Sequence, residues 1–221
     1  MHIEKDPIVS VVIPTYNHAE YLKKALESAL SQTFNLIEVL VIDNNSSDDT
    51  DLVLGSFVDR RLRIIKTDNK GVIAVSRNLG IKKAVGKWIA FLDSDDFWYP
   101  NRLETIIQNL DQVEEVDVIT TDEYKINKAT GKKKKLIYGP ILGENKYKSL
   151  LFYGNQFSPS ATMVRNSFLK ENSLKFSEKR EFVTVEDYDF WLNIMLRKPK
   201  VKFLRTVQGE YLLHGKNNSS F

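Results

Sequence analysis

Residues 88–96 read WIAFLDSDD: five mostly apolar residues, Trp88 to Leu92, run straight into Asp93, Asp95 and Asp96. A short apolar run bounded by polar residues reads as a buried strand, and such a strand delivers its last residues to the edge of a sheet. That carboxyl edge is where open α/β sheets bind ligands. Carboxylates packed this closely repel one another unless a cation or a set of donors meets them. A divalent cation is the simplest partner, and a solvated turn or a helix cap is the structural alternative. Asp96 is expected at the turn or at a helix amino end.

Upstream of this stretch the same unit occurs twice. Ile8 to Pro14 is a β-branched run ending at a proline, hence a strand entering the loop Thr15–His18. Leu22, Ala25, Leu26, Ala29 and Leu30 then fall on one helical face, with Asn17 expected as the cap and Glu20 reaching back to it. Ile37 to Ile42 is a second strand, stopping at Asp43 in DNNSSDDT, where Asp48 or Asp49 can cap the next helix. Leu62 to Ile65 offers a third strand, and Val75 to Ala84 a helix interrupted by Gly80. Strands alternating with helices argue for parallel pairing and a layered α/β core covered on both faces. The ends Pro14–Asn17, Asp43–Ser46 and Asp93–Asp96 then share one edge.

After Asp96 the pattern is less regular. Pro100 to Gln112 reads as a helix and Val116 to Thr121 as a strand. Glu123–Asn127 and Lys135–Tyr138 are expected to pair as a hairpin turning at Gly131, with the block Lys132–Lys135 at its tip. Tyr147–Tyr153 is expected to be helical and Ser160–Val164 extended. In VEDYDFWLNIML, Tyr188, Trp191, Leu192, Met195 and Leu196 keep helical spacing, so Glu186 and Asp187 lie at the helix amino end. The helix dipole favours an ionised carboxylate there. Trp191 belongs to the core. Val201–Leu213 alternates like one or two strands. The chain divides into halves at 1–98 and 99–221, sharing one fold rather than forming independent domains.

Composition narrows the chemistry. The chain has 221 residues, no cysteine, three histidines and a formal net charge of +3. Thiolate sites and disulfides are excluded, and a metal site must be mainly oxygen-liganded, favouring Mg²⁺ or Mn²⁺ over Zn²⁺. There is no GxGxxG, GxxxxGK[ST], GxSxG, HExxH or CxxC. No nucleic-acid-binding signature accompanies the lysines, so no nucleic-acid partner is expected. With no 18-residue apolar run and no signal peptide in MHIEKDP, a cytoplasmic location is expected. Contact with the inner face of a membrane stays open, as does self-association. A cation at Asp93 and Asp95 would suit a diphosphate, whose oxygens complete its coordination shell.

SVVIPTYN (10–17), VIDNNSSDDT (41–50), SRNLGI (76–81), FLDSDDFWYPNRL (91–103), EDYDFW (186–191) and HGKNNS (214–219) occur in the order and spacing of the family 2 glycosyltransferases. The resemblance spans nearly the whole chain. It implies a GT-A, Rossmann-like fold: a mixed, mainly parallel sheet flanked by helices, with a smaller antiparallel element on the acceptor side. It further implies an inverting transferase moving a sugar from a nucleotide diphosphate donor, first of all a UDP-sugar, to a glycan, lipid-linked or protein-linked acceptor. Pro14, Thr15, Tyr16 and Asp43 match the family's nucleotide pocket. Asp93 and Asp95 match its Asp-X-Asp motif, with Asp95 a metal ligand and Asp93 serving ribose or metal. His214 resembles a late histidine that approaches the metal or diphosphate. Asp187 matches the catalytic base, with Glu186 beside it facing acceptor or sugar, Trp98 and Tyr99, just past the acidic turn, are candidates for stacking on a sugar ring, and Arg77 holds the crevice loop or a phosphate. Where many members have two aspartates after the second strand, this chain has Asp43 and Asn44, which changes the polarity offered to a base and leaves bases other than uracil open. Acceptor specificity is expected within Asp122–Pro159. The rival readings are a non-catalytic sugar- or nucleotide-binding module, a subunit of a larger transferase, and a sugar nucleotidyltransferase. The last normally carries a glycine-rich, arginine-containing loop after the first strand, and PTYNHAEY is no such loop.

Overall fold

The computed structural model describes residues 6–110, 116–141 and 143–215. The amino-terminal half is built from β1 (Val9–Thr15), α1 (Ala19–Leu30), β2 (Ile37–Asp43), α2 (Thr50–Gly55), β3 (Leu62–Lys66), α3 (Ile73–Lys83) and β4 (Trp88–Phe91). The carboxyl-terminal half adds β5 (Phe97–Trp98), α4 (Arg102–Leu110), β6 (Val118–Asn127), β7 (Lys133–Leu136), α5 (Lys146–Tyr153), β8 (Thr162–Arg165), α6 (Asn166–Glu171), α7 (Glu186–Leu196) and β9 (Val201–Leu213). The described strands form one sheet in the order β3-β2-β1-β4-β8-β6-β9-β5, with β7 paired to β6. β3, β2, β1 and β4 run parallel, and β8 joins β4 and β6 antiparallel.

The unbroken apolar runs of β1, β2 and β4 follow from burial on both sides. Val12, Leu40, Ile42 and Phe91 point to one face and pack with Phe176, Phe190 and Trp191, while Val11, Ile13, Val39 and Val41 point to the other and meet Leu22 and Leu26 of α1. Trp191 is fully buried, as its helical spacing predicts. Gly80 does not interrupt α3. A Cβ there would sit 2.3 Å from Val12 Cγ1, so the glycine is where the helix crosses closest to β1.

Two further expectations change. Asn17 does not cap α1: it takes a positive φ of 50°, and its Oδ1 accepts from the Ser47 amide at 2.8 Å. Asp48 caps instead, its Oδ2 accepting from Ala19 N and its Oδ1 from Thr50 N, so one side chain serves the starts of α1 and α2. Asp49 occupies the cap position of α2 without a side-chain bond. The lysine block is not a hairpin tip, because Lys133, Lys134 and Lys135 lie within β7 opposite Ile126, Lys125 and Tyr124. Val201–Leu213 is a single strand. The helix expected to reach Gln112 is described as far as Leu110, and of HGKNNS only His214 and Gly215 lie within the described residues.

Candidate active site

Because β1, β2 and β4 are parallel, their carboxyl ends open on one edge, and the loops there are tied to one another. The Asn17 amide donates to Ser46 Oγ at 2.9 Å, the Asn44 amide to Thr15 O at 3.0 Å, and the Asn69 amide to Asn44 Oδ1 at 2.7 Å. They border a cavity of about 440 Å³ lined on this side by Pro14, Thr15, Tyr16, Asn44 and Asn69. Asp43 is not on that surface. It is fully buried beneath the loop, where its Oδ1 accepts from the Ser46 amide and hydroxyl. Asp43, expected at the nucleotide, thus lies behind the cavity lining, where its Oδ1 holds the turn.

Asp93 and Asp95 both line the cavity; Asp96 does not. The Asp93 amide donates to Ser160 Oγ at 3.0 Å, the Ser160 hydroxyl donates to Asp96 Oδ2 at 2.5 Å, and the Leu212 amide donates to Asp96 Oδ1 at 3.1 Å. Asp96 closes the turn, as expected, its amide donating to Asp93 O at 3.0 Å, while its side chain caps no helix but is a buried tie between the acidic turn and β9. Burial, with Asp95 and Glu123 nearby, pushes its pKa well up. That tie places His214, which follows β9, with Nε2 2.9 Å from Asp95 Oδ2 and its ring stacked 4.6 Å from Tyr21. Burial and the charge of Asp93 raise the Asp95 pKa, against a lowering contribution from His214.

Arg77, buried on α3, bridges two acidic elements. Its Nη2 donates to Asp93 Oδ1 and its Nη1 to Glu186 Oε1, each at 2.8 Å. Burial opposes its charge, but Asp93 and Glu186 outweigh it and hold the guanidinium ionised. Glu186, expected against acceptor or sugar, does line the cavity, but it is mostly buried and its Oε1 anchors Arg77. Its neighbour Asp187 stands at the start of α7, lining the same cavity as Asp93 and Asp95, with Oδ2 accepting from Asn155 Nδ2 at 3.2 Å and Oδ1 from the Tyr188 amide at 2.7 Å. Its pKa is raised, by burial first and by Glu186 besides, against the lowering pull of Arg77. Desolvation thus overrides the helix dipole, from which an easily ionised Asp187 is expected.

Trp98 cannot serve as a sugar platform. It is 1% exposed, its Nε1 donates to Ser160 O, and the Arg102 guanidinium lies 4.8 Å from its ring. Tyr99 also lies off the cavity, its hydroxyl donating to Glu210 Oε1 at 3.0 Å. Pairing of Trp98 with Gly209 and the bond from the Tyr99 amide to Gln208 O fix this segment along β9, and neither ring lines the cavity. Ser160 and Asn155, which hold the acidic turn and Asp187, carry no sequence signal, because each bonds to a partner 32 or more positions away.

Residues 10–172 match the family profile described as glycosyl transferase family 2. The chain belongs to glycosyl transferase family 2. This family 2 chain is 32% identical over 209 residues to the Escherichia coli UDP-Glc:alpha-D-GlcNAc-diphosphoundecaprenol beta-1,3-glucosyltransferase WfaP, covering 94% of this chain and 78% of that one. Other curated relatives are longer, and the chain spans 37% of one and 42% of another. Among solved structures it resembles Staphylococcus aureus TarS 1–349 in complex with UDP-GlcNAc, with a TM-score of 0.79 and 23% identity over 96% of this chain and 60% of that one. It also resembles the mannosyltransferase PcManGT of Pyrobaculum calidifontis in complex with GDP-Man and Mn²⁺, with a TM-score of 0.70 and 18% identity over 97% and 59%. The fold of the family 2 chain is accordingly GT-A, as expected from its six sequence segments. No helix among the described residues is long and apolar enough to cross a membrane.

Proposed function

We propose that the chain is a metal-dependent, inverting glycosyltransferase that moves a sugar from a nucleoside diphosphate donor to a hydroxyl of a glycan or lipid-linked acceptor. The observation that carries this reading is the placement of Asp187 in one cavity with Asp93 and Asp95. Asp187 would take the proton of the acceptor hydroxyl as its oxygen bonds to the anomeric carbon. The bond from that carbon to the nucleoside diphosphate breaks on the opposite face, so configuration inverts. The raised pKa of Asp187 suits a base that must bind a proton during turnover.

Among the described residues no group of three or more acidic or imidazole side chains is pre-assembled as a metal cage. Asp95, Asp93 and His214 are nonetheless a fitting donor set for Mn²⁺ or Mg²⁺: two close carboxylates, one of which already has a raised pKa partly through the other's charge, beside an imidazole. A bound cation would neutralise charge developing on the departing diphosphate. Pro14, Thr15, Tyr16 and Asn44 are assigned to the nucleotide, on the strength of their place in the lining of the cavity. UDP is the first candidate, since WfaP is named for UDP-Glc and one TarS structure holds UDP-GlcNAc, with GDP next because PcManGT binds GDP-Man. The name of WfaP makes a diphosphate-linked lipid acceptor, met at the inner face of a membrane, the leading acceptor class.

The test is a thermal-shift screen of UDP, GDP, CDP and ADP with and without Mn²⁺. One diphosphate is expected to raise Tm in a metal-dependent way, and a metal-independent shift surviving Asp95→Ala would overturn the assigned site. Hydrolysis of the matching donor, lost in Asp187→Asn, would then separate an enzyme from a binding module.

A further inference from the structure

The cavity has a second wall, opposite in origin to the nucleotide loops and supplied by β6, β7 and β9. Lys125, Leu136, Tyr138 and Tyr211 line it. The lysines around it are mostly committed: Lys133 pairs with Glu210 at 3.0 Å, Lys135 with Asp122 at 3.1 Å, and Lys128 with Glu20. Lys125 differs. It is half-buried and has no carboxylate within 4.0 Å among the described residues, and its Nζ lies 5.7 Å from the centre of the Tyr211 ring. Tyr138, on the same wall, is held in place, its hydroxyl donating to buried Glu123 at 2.9 Å and its amide to Asp122 Oδ1. The wall thus offers a cation beside the Tyr211 ring and a second tyrosine, Tyr138, held in place by a buried carboxylate.

Tyrosine faces suit the apolar face of a pyranose, and a lysine held off other carboxylates retains its attraction for an anion. We propose that Lys125, Tyr138 and Tyr211 form an acceptor subsite for a sugar bearing a phosphate or diphosphate. This rests on the glycosyltransferase reading and adds the residues that would hold a phosphorylated acceptor. The donor diphosphate is provided for elsewhere, by the acidic turn and the cation it would hold. An acceptor sugar entering between this wall and Asp187 would set its ring on the tyrosines and its phosphate on Lys125.

The test uses the full chain saturated with Mn²⁺ and whichever nucleoside diphosphate raises its Tm. Hexose 1-phosphates and the same sugars without phosphate are titrated in calorimetrically, against wild type, Lys125→Ala and Lys125→Arg. The phosphorylated sugars are expected to bind at least about tenfold tighter than the neutral ones. Lys125→Ala should abolish that preference and Lys125→Arg restore it, both with unchanged nucleotide affinity. A sugar with a short alkyl diphosphate and a glycerol phosphate oligomer then distinguish a lipid-linked source from a phosphodiester polymer, and Lys125-dependent binding of either supports the subsite. Equal binding of phosphorylated and neutral sugars, or a Lys125→Ala defect in nucleotide affinity alone, would overturn it. If no nucleotide binds at all, the glycosyltransferase reading falls first and this inference with it.

Discussion

At the scale of single residues, two side chains carry most of the consequence. Asp187 is raised in pKa by burial and by Glu186 and lowered by Arg77. A carboxylate acting as base works only when deprotonated, so kcat/KM should fall as pH drops through a value above the ordinary aspartate range, near 3.9. The acidic limb of a pH–rate profile reads this directly, and a limb at or below the ordinary value would contradict the burial argument. Asp187→Asn should cut turnover by about 10² to 10⁴-fold while the nucleotide thermal shift persists. Arg77 neutralises two carboxylates from inside the protein. Arg77→Met would leave Glu186 buried without its partner, and a loss of about 3–5 kcal/mol of unfolding free energy is expected in urea titrations. The double change Arg77→Met with Glu186→Leu should recover part of that loss, which would identify the penalty as an uncompensated charge rather than lost volume.

Elements, rather than residues, set where α3 and β9 lie. α3 passes so close to β1 that Gly80 has no room for a methyl group, since a Cβ would overlap the branched side chain of Val12. Gly80→Ala gains helix propensity yet should lower stability by about 1–3 kcal/mol through overpacking, and a higher Tm would show that α3 can shift without cost. β9 depends on a different device: buried Asp96 accepts from Leu212 and Ser160, fixing the strand that leads to His214. Both contacts join segments far apart in sequence, which is why an Asp-rich turn by itself suggests only a turn or a cap. The same distance explains Trp98. An aromatic residue beside an acidic turn suggests a sugar platform, but pairing fixes its segment along β9, and its ring does not line the cavity.

At the scale of the whole molecule, the crevice is built by both halves of one sheet, with the loops proposed to hold the nucleotide from the β1–β4 side and Lys125, Tyr138, Asp187 and His214 from the other. Unfolding should therefore be a single calorimetric transition that a nucleotide moves as a unit, by about 2.7 kcal/mol at a ligand concentration of 100 Kd. Two transitions, only one of them sensitive to nucleotide, would mean that the halves fold separately. What the sequence determined by itself is local or periodic: strands buried on both faces read as unbroken apolar runs, α1 and α7 as 3.6-residue stripes, and parallel alternation sends the three polar strand ends to one edge. Those signals depend on residues within a turn or a strand of each other, so they survive in one dimension. Only the tertiary structure decided that Asp48 caps two helices, that Asp43, Asp96 and Glu186 are buried ties, and that Lys125 stands apart from its paired neighbours. Each of those outcomes depends on burial and on partners from distant segments, because the energy of a charged group is set by what surrounds it in space and not by its neighbours along the chain.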